Sequence, residues 1–149
     1  MGQLMLSSPV FTDNATIPET YTCDGKNVNP PLEIAGIPEK SKSLALTVDD
    51  PDAPAGMWVH WLVWNINPHT REIPEDTVPR EAVLGKNDWH RNSYGGPCPP
   101  SGTHRYVFRL YALDTAIGLA GTATKQDLEE AMEGHILDQA QLVGVYSHK

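Results

Sequence analysis

Apolar residues recur at every second position in several short runs, and a period of two predicts extended strands whose side chains point alternately to opposite faces. From His104 the alternation puts His104, Tyr106, Phe108 and Leu110 on one face and Arg105, Val107, Arg109 and Tyr111 on the other. In residues 43–50, Leu44, Leu46 and Val48 share a face, which predicts a half-buried strand ending at Pro51. Residues 57–66 carry the strongest strand pattern. One face reads Trp58, His60, Leu62, Trp64 and Ile66 and the other Val59, Trp61 and Val63, so this strand is expected to be buried on both sides. Residues 4–6, 10–12, 32–37, 82–84 and 142–146 give weaker strand patterns, and the polar stretch 68–79 has Ile73 as its main anchor. One helix is expected. It starts near Thr124, where Thr124 and Asp127 have capping-box spacing, carries Leu128, Ala131 and Met132 as an apolar stripe, and ends at Gly134.

Thirteen prolines and twelve glycines fit many turns and short strands. With no repeat and no linker, the 149 residues read as one domain spanning 1–149. A hydrophobic fraction of 40% with 20% charged residues excludes a disordered chain. The formal net charge of −8 disfavours nucleic acid and anionic membrane surfaces as partners. The opening MGQLMLSSPVFTDN has neither a basic nor an apolar signal region, and no apolar run is long enough to span a bilayer. The expected location is therefore cytoplasmic, with no membrane insertion. Cys23 and Cys98 are too few for a disulfide framework, and the sequence leaves open whether they bond.

The loop preceding His104 combines Gly95, Gly96 and Gly102 with Pro97, Pro99 and Pro100. Backbone amides of such a loop, beside His104 and Arg105, could form an anion site; the plainer reading is a tight turn into a strand. His60 interrupts an apolar face and needs a partner, for which a backbone carbonyl is the usual solution. Asp50, His60 and His104 are metal-capable residue types, but the chain offers no HExxH, HxH or paired-cysteine spacing, so neither metal nor cofactor is expected. Cys98 lies between prolines with nothing evident to lower its pKa, so no catalytic residue is assigned. His69, His90, His135 and His148 read as surface groups, with His135 a candidate to face the pocket or a partner subunit.

The wording of these segments points further. YGGPCPPSGTHRYVFRLYAL at 94–113, DDPDAP at 49–54 and WVHWLVWNI at 58–66 closely resemble the phosphatidylethanolamine-binding protein family in its short bacterial and archaeal, Raf kinase inhibitor-like form. Residues 22–38, 127–137 and 141–146 match in the same order. The resemblance implies an all-β, two-sheet antiparallel Greek-key sandwich with one main helix, and a pocket between the loops at 49–57 and 94–104. It implies ligand contacts from Asp50, His60 and His104; the loop amides of Gly95 and Gly96, and Tyr106 on the face of His104, complete the candidate set, supported by Asp52, Pro54, Trp58 and Arg105. Within that set, Asp50 would orient an imidazole or pair with Arg105, Asp52 would cap the turn at 53–56, and Arg105 would make a structural ion pair. By the same analogy Ala53–Pro54 is expected to be cis, and the further C-terminal helix of larger members is expected to be missing.

The implied function is non-enzymatic binding of a small anionic ligand, a phosphate or phospho-headgroup, in a regulatory or scavenging role. Affinity is expected to rise as pH falls from about 8 to about 5.5, because an anion favours protonated histidine. Kinase or protease partners and a homodimer follow by analogy only. The alternatives are a small metal- or cysteine-dependent hydrolase, or a protease inhibitor acting through an exposed loop.

Overall fold

The longest alternating segments occupy the middle of one sheet. In the computed structural model, which describes residues 2–148, strands β1 (Met5–Ser7), β2 (Ala15–Thr16), β3 (Leu32–Ala35), β4 (Ser43–Asp50) and β5 (Trp58–Ile66) are followed by β6 (Glu72–Ile73), β7 (Val83–Leu84) and β8 (Thr103–Leu113). Helix α1 (Lys125–Met132) and strand β9 (Ile136–Ser147) follow. The larger sheet has the order β2-β9-β8-β4-β5-β7 and the smaller β1-β3-β6. The result is an all-β sandwich with one helix, as expected. One pair departs from the antiparallel pattern: β2 runs parallel to β9, with Ala15 opposite Gly144. Residues 10–12 form no strand, and Asn14 at φ +67°, with its N–H donated to the Val143 carbonyl, swings the chain onto the β9 edge.

The facing layers follow from alternation. Leu44, Leu46 and Val48 of β4 and Tyr106, Phe108 and Leu110 of β8 pack with Leu6, Leu32, Ile34 and Ile73 of the small sheet in one continuous core. The expectation of a half-buried β4 is corrected here, because every residue of β4 is buried. Its second face lies in another apolar cluster, where Ala45, Leu62, Trp64, Tyr111 and Leu113 meet Ile117, Leu128 and Met132. The helix is what covers that face. Thr124 Oγ1 accepts from the Asp127 N–H at 3.3 Å and Asp127 Oδ2 accepts from the Thr124 N–H at 3.0 Å, which completes the expected capping box. Gly134 at φ +81° ends the turn, and β9 begins two residues later, six residues earlier than the sequence pattern indicated.

The second face also holds a buried charge. Asp49 is fully buried and accepts from Arg109 Nη1 at 3.0 Å and Lys125 Nζ at 2.6 Å, tying β4, β8 and the first turn of α1 together.

Candidate functional site

Strict alternation along β5 fails at two points. Val48 pairs with Trp61 and Asp49 with Val59, so β5 advances by two residues while β4 advances by one, and His60 is the extra residue. A second irregularity lies between the Leu44–Ile66 and Leu46–Val63 pairs. These bulges redistribute the expected face: Trp61, Val63 and Ile66 enter the sandwich core, while Val59, Leu62 and Trp64 join the helix-side cluster. Bulges re-aim side chains. Here the bulge turns His60 toward Tyr106, whose ring lies 5.2 Å away in edge contact, and toward Trp89 at 5.0 Å.

His60 Nδ1 lies 2.7 Å from the Gly95 carbonyl. A carbonyl only accepts, so Nδ1 carries the proton and Nε2 the lone pair. Burial pushes the pKa of His60 below its ordinary value, against upward pulls from the Gly95 hydrogen bond and the Asp50 charge. A histidine held neutral in the fold takes up a proton more readily when unfolded, so the folded state loses stability as pH falls through about 6.5 and keeps losing it down to the depressed folded pKa. Thermal unfolding followed between about pH 8 and pH 5 should show this decline, and His60→Gln should flatten it. An unchanged pH slope in that variant would remove His60 as its source.

The second imidazole is held differently. His104 Nδ1 lies 2.7 Å from Asp50 Oδ2, both side chains being almost wholly buried. Asp50 is aimed from both sides, since its Oδ1 accepts the Asp52 N–H at 2.8 Å. Tyr106, two residues on from His104, is buried on the same face, and among the described residues its hydroxyl makes no hydrogen bond of good geometry, although the Asp50 carboxylate and the Cys98 backbone lie close enough to act on it. Burial raises the pKa of this phenol well above its ordinary value, and the nearby Asp50 charge adds to the shift. His60, His104, Tyr106 and Asp50 share one cavity of about 440 Å³, walled by Pro54, Trp58, Trp89, Pro99 and Pro100. Most of its lining is apolar, with a few polar groups converging on it.

Against this geometry the comparisons are specific. The family profile described as phosphatidylethanolamine-binding protein matches residues 7–147. The chain belongs to the phosphatidylethanolamine-binding protein family. A UPF0098 protein of Methanothermobacter thermautotrophicus is 50% identical over 146 residues, covering 95% of this chain and 97% of the relative. A UPF0098 protein of Chlamydia muridarum is 43% identical, covering 96% and 98%. Among solved structures, the putative phosphatidylethanolamine-binding protein homolog CT736 of Chlamydia trachomatis superposes with a TM-score of 0.96 at 38% identity, covering all of both chains. YbcL of E. coli, described as a member of the mammalian family, gives 0.92 at 30% identity, covering 99% of this chain and all of that one.

Within this phosphatidylethanolamine-binding protein fold, several expectations change. Gly95 and Gly96 do not present amides to the cavity. The Gly95 N–H is donated to the His60 carbonyl and the Gly96 N–H to Asn27 Oδ1, and a side chain at Gly96 would run into the Tyr21 carbonyl and Asn27. These glycines permit close packing of two loops. Ala53–Pro54 is trans, as no cis peptide occurs among the described residues. The trans bond does not misdirect Asp50, which is aimed by the end of β4, by the Asp52 N–H at the start of the turn and by His104. Asp52 does not cap the turn. It pairs instead with Arg105, through Nε at 2.9 Å, Nη2 at 2.8 Å and the backbone N–H at 2.9 Å, and these bonds hold its pKa down at about 2. Arg105 thus makes the surface ion pair foreseen for it. His135 bonds Asp114 at 2.8 Å near the far end of β8 and does not line the cavity.

Cys23 and Cys98 form a disulfide, which removes the free thiol that a cysteine-based reaction would need. The sequence reading missed Trp89, which packs edge-on against both Trp58 and His60. Its signal was an aromatic in an otherwise polar stretch. Buried Asn87 organises that stretch, with Oδ1 accepting the N–H groups of Trp89 and Arg91 and Nδ2 donating to the Ser93 carbonyl.

Proposed function

We propose that this chain binds a small anionic group, a phosphate or a phospho-headgroup, without turning it over, in a regulatory or scavenging role. The observation that carries the reading is the Tyr106 hydroxyl, a buried donor with no well-formed hydrogen bond among the described residues, in a cavity it shares with two imidazoles. A buried donor without a partner is costly unless a bound group satisfies it. An oxyanion would do so, and the apolar walls would strengthen the bond by excluding water.

The same cavity contains the Asp50 carboxylate, and the chain as a whole is acidic. With Nδ1 of each histidine committed to a protein acceptor, Nε2 is the ring nitrogen left for a ligand. Neutral Nε2 is an acceptor and repels an oxyanion's lone pairs. The anion therefore enters together with a proton, carried on an imidazole.

Titration calorimetry with sulfate, and separately with a dialkyl phosphodiester, tests this at about pH 8, about 6.5 and about 5.5, since both probes keep a constant charge across the range. Affinity should rise as pH falls and go on rising below about 6.5, because burial holds His60 below its ordinary pKa. Buffers of different ionisation enthalpy should report net proton uptake. Preference for the diester over sulfate would point to a headgroup, and the reverse to a free anion. Flat affinity without proton uptake would overturn the histidine-centred site.

A further inference from the structure

Beside the cavity, and sharing Cys98 with its wall, a second cluster joins the two loops that carry the cysteines to the end of β9. Cys23, Cys98 and His148 offer two sulfurs and a ring nitrogen that all lie within 4.8 Å of one another. His148 Nδ1 lies 2.9 Å from Asp24 Oδ1, and Tyr146 donates its hydroxyl to Asp24 Oδ2 at 2.6 Å. The imidazole is thereby held in one orientation, with its lone pair on Nε2. A histidine braced by a carboxylate beside two cysteine sulfurs is the donor set of a Cys₂His zinc centre with its supporting carboxylate.

We propose that, once the Cys23–Cys98 disulfide is reduced, Cys23, Cys98 and His148 bind one zinc ion, with Asp24 orienting the histidine and a water completing the tetrahedron. The chemistry balances through an external thiol as reductant. Two thiols reduce the disulfide to two cysteine thiols and leave as their own disulfide; zinc then displaces both thiol protons, giving two zinc–sulfur bonds and two protons in solution. Two thiolates neutralise the ion, and the acidic chain adds no electrostatic barrier to a cation.

The site survives loss of the disulfide because other bonds hold its parts together. The Cys23 N–H is donated to the Pro97 carbonyl at 3.1 Å, the Gly96 N–H to Asn27 Oδ1 at 2.8 Å and the Tyr94 hydroxyl to the Tyr21 carbonyl at 2.8 Å. Pairing of His104 with Tyr146 and of Thr103 with Ser147 fixes the stem of His148. Tetrahedral zinc places its ligand atoms about 3.3–3.8 Å apart, so small side-chain rotations suffice.

The inference does not rest on the anion reading, although Cys98 also forms part of that cavity's wall. Its test is zinc titration against a chromogenic chelator, with native mass spectrometry, on oxidised and reduced protein. The reduced chain should bind one zinc and release two protons, and the oxidised chain none. Cobalt should give thiolate-to-metal charge-transfer absorption in the reduced protein. Asp24→Asn should weaken zinc by about 10–100-fold, His148→Ala by at least as much, Cys98→Ser should cut the thiolate bands by about half or more, and the double variant C23S/C98S should abolish them. Because His148 is exposed near the chain end, its variant should fold normally. The proposal is overturned if the reduced chain binds no zinc, if His148→Ala binds zinc as tightly as the parent, or if reduction alone unfolds the protein.

Discussion

His60→Ala and His104→Ala should each abolish binding of sulfate and of a dialkyl phosphodiester, whereas His69→Ala, on a loop away from the cavity, should leave it unchanged. Tyr106→Phe is the sharper probe. Removing its hydroxyl takes away the only hydrogen-bonding atom of that side chain, so affinity should fall by about tenfold, the worth of one good hydrogen bond. The same hydroxyl is buried without a well-formed hydrogen bond among the described residues, so the phenylalanine variant should be more stable than the parent by about 1 kcal/mol. Opposite signs for binding and stability mark a group held ready for a ligand at a cost to the fold. Chemical denaturation and calorimetry on the same variant decide it. A phenylalanine variant that binds normally would remove the hydroxyl from the site, and one that is less stable would mean that the hydroxyl already has a partner.

Asp49→Ala should destabilise the protein by about 3 kcal/mol and lower its melting temperature by about 6–12 °C. Removal of this carboxylate leaves two cations, Arg109 and Lys125, facing each other across a largely buried sheet surface. The figure lies at the lower end of the range for breaking a buried ion pair because both cations keep some contact with water. Urea unfolding of the variant measures it, and a loss under about 1 kcal/mol would show that Asp49 is not the tie between the sheet and the helix. Lys125→Met should cost less, since Arg109 remains to pair with the buried charge.

The sequence made the strands of the sandwich, the capped helix and the order of motifs legible because each is written locally, in alternation, in Thr124 and Asp127, or in recognisable wording. The family resemblance implied a shared pocket for Asp50, His60 and His104, alternation added Tyr106 to the face of His104, and the four line one cavity. What the sequence missed depends on register. The bulge at His60 is invisible in a pattern that reads Trp58 to Ile66 as an even strand, because a bulge exists only relative to the partner strand. The full burial of β4 was missed because the covering helix lies far along the chain. The role given to the Gly95 and Gly96 amides failed for a similar reason: their acceptors are the His60 carbonyl and Asn27, on other segments. Asp49 and Asp50 are adjacent letters with opposite surroundings, one under the helix with two cations and the other in the cavity with an imidazole.

The parallel seam between β2 and β9 governs how the chain can fold. Residues 15–16 have no strand partner until residues 144–145 arrive, and the Leu4 and Gln3 amides likewise wait for the Asp138 carboxylate. The β4–β5 hairpin and the β8–β9 pair, joined through α1, can form early from nearer segments, but the large sheet gains its last strand only by closing a loop that spans most of the polypeptide. Entropy taxes that closure before any contact rewards it, so refolding belongs to the millisecond-to-second class of non-local β proteins, with the order of assembly running from the centre of the large sheet outward to its N-terminal edge.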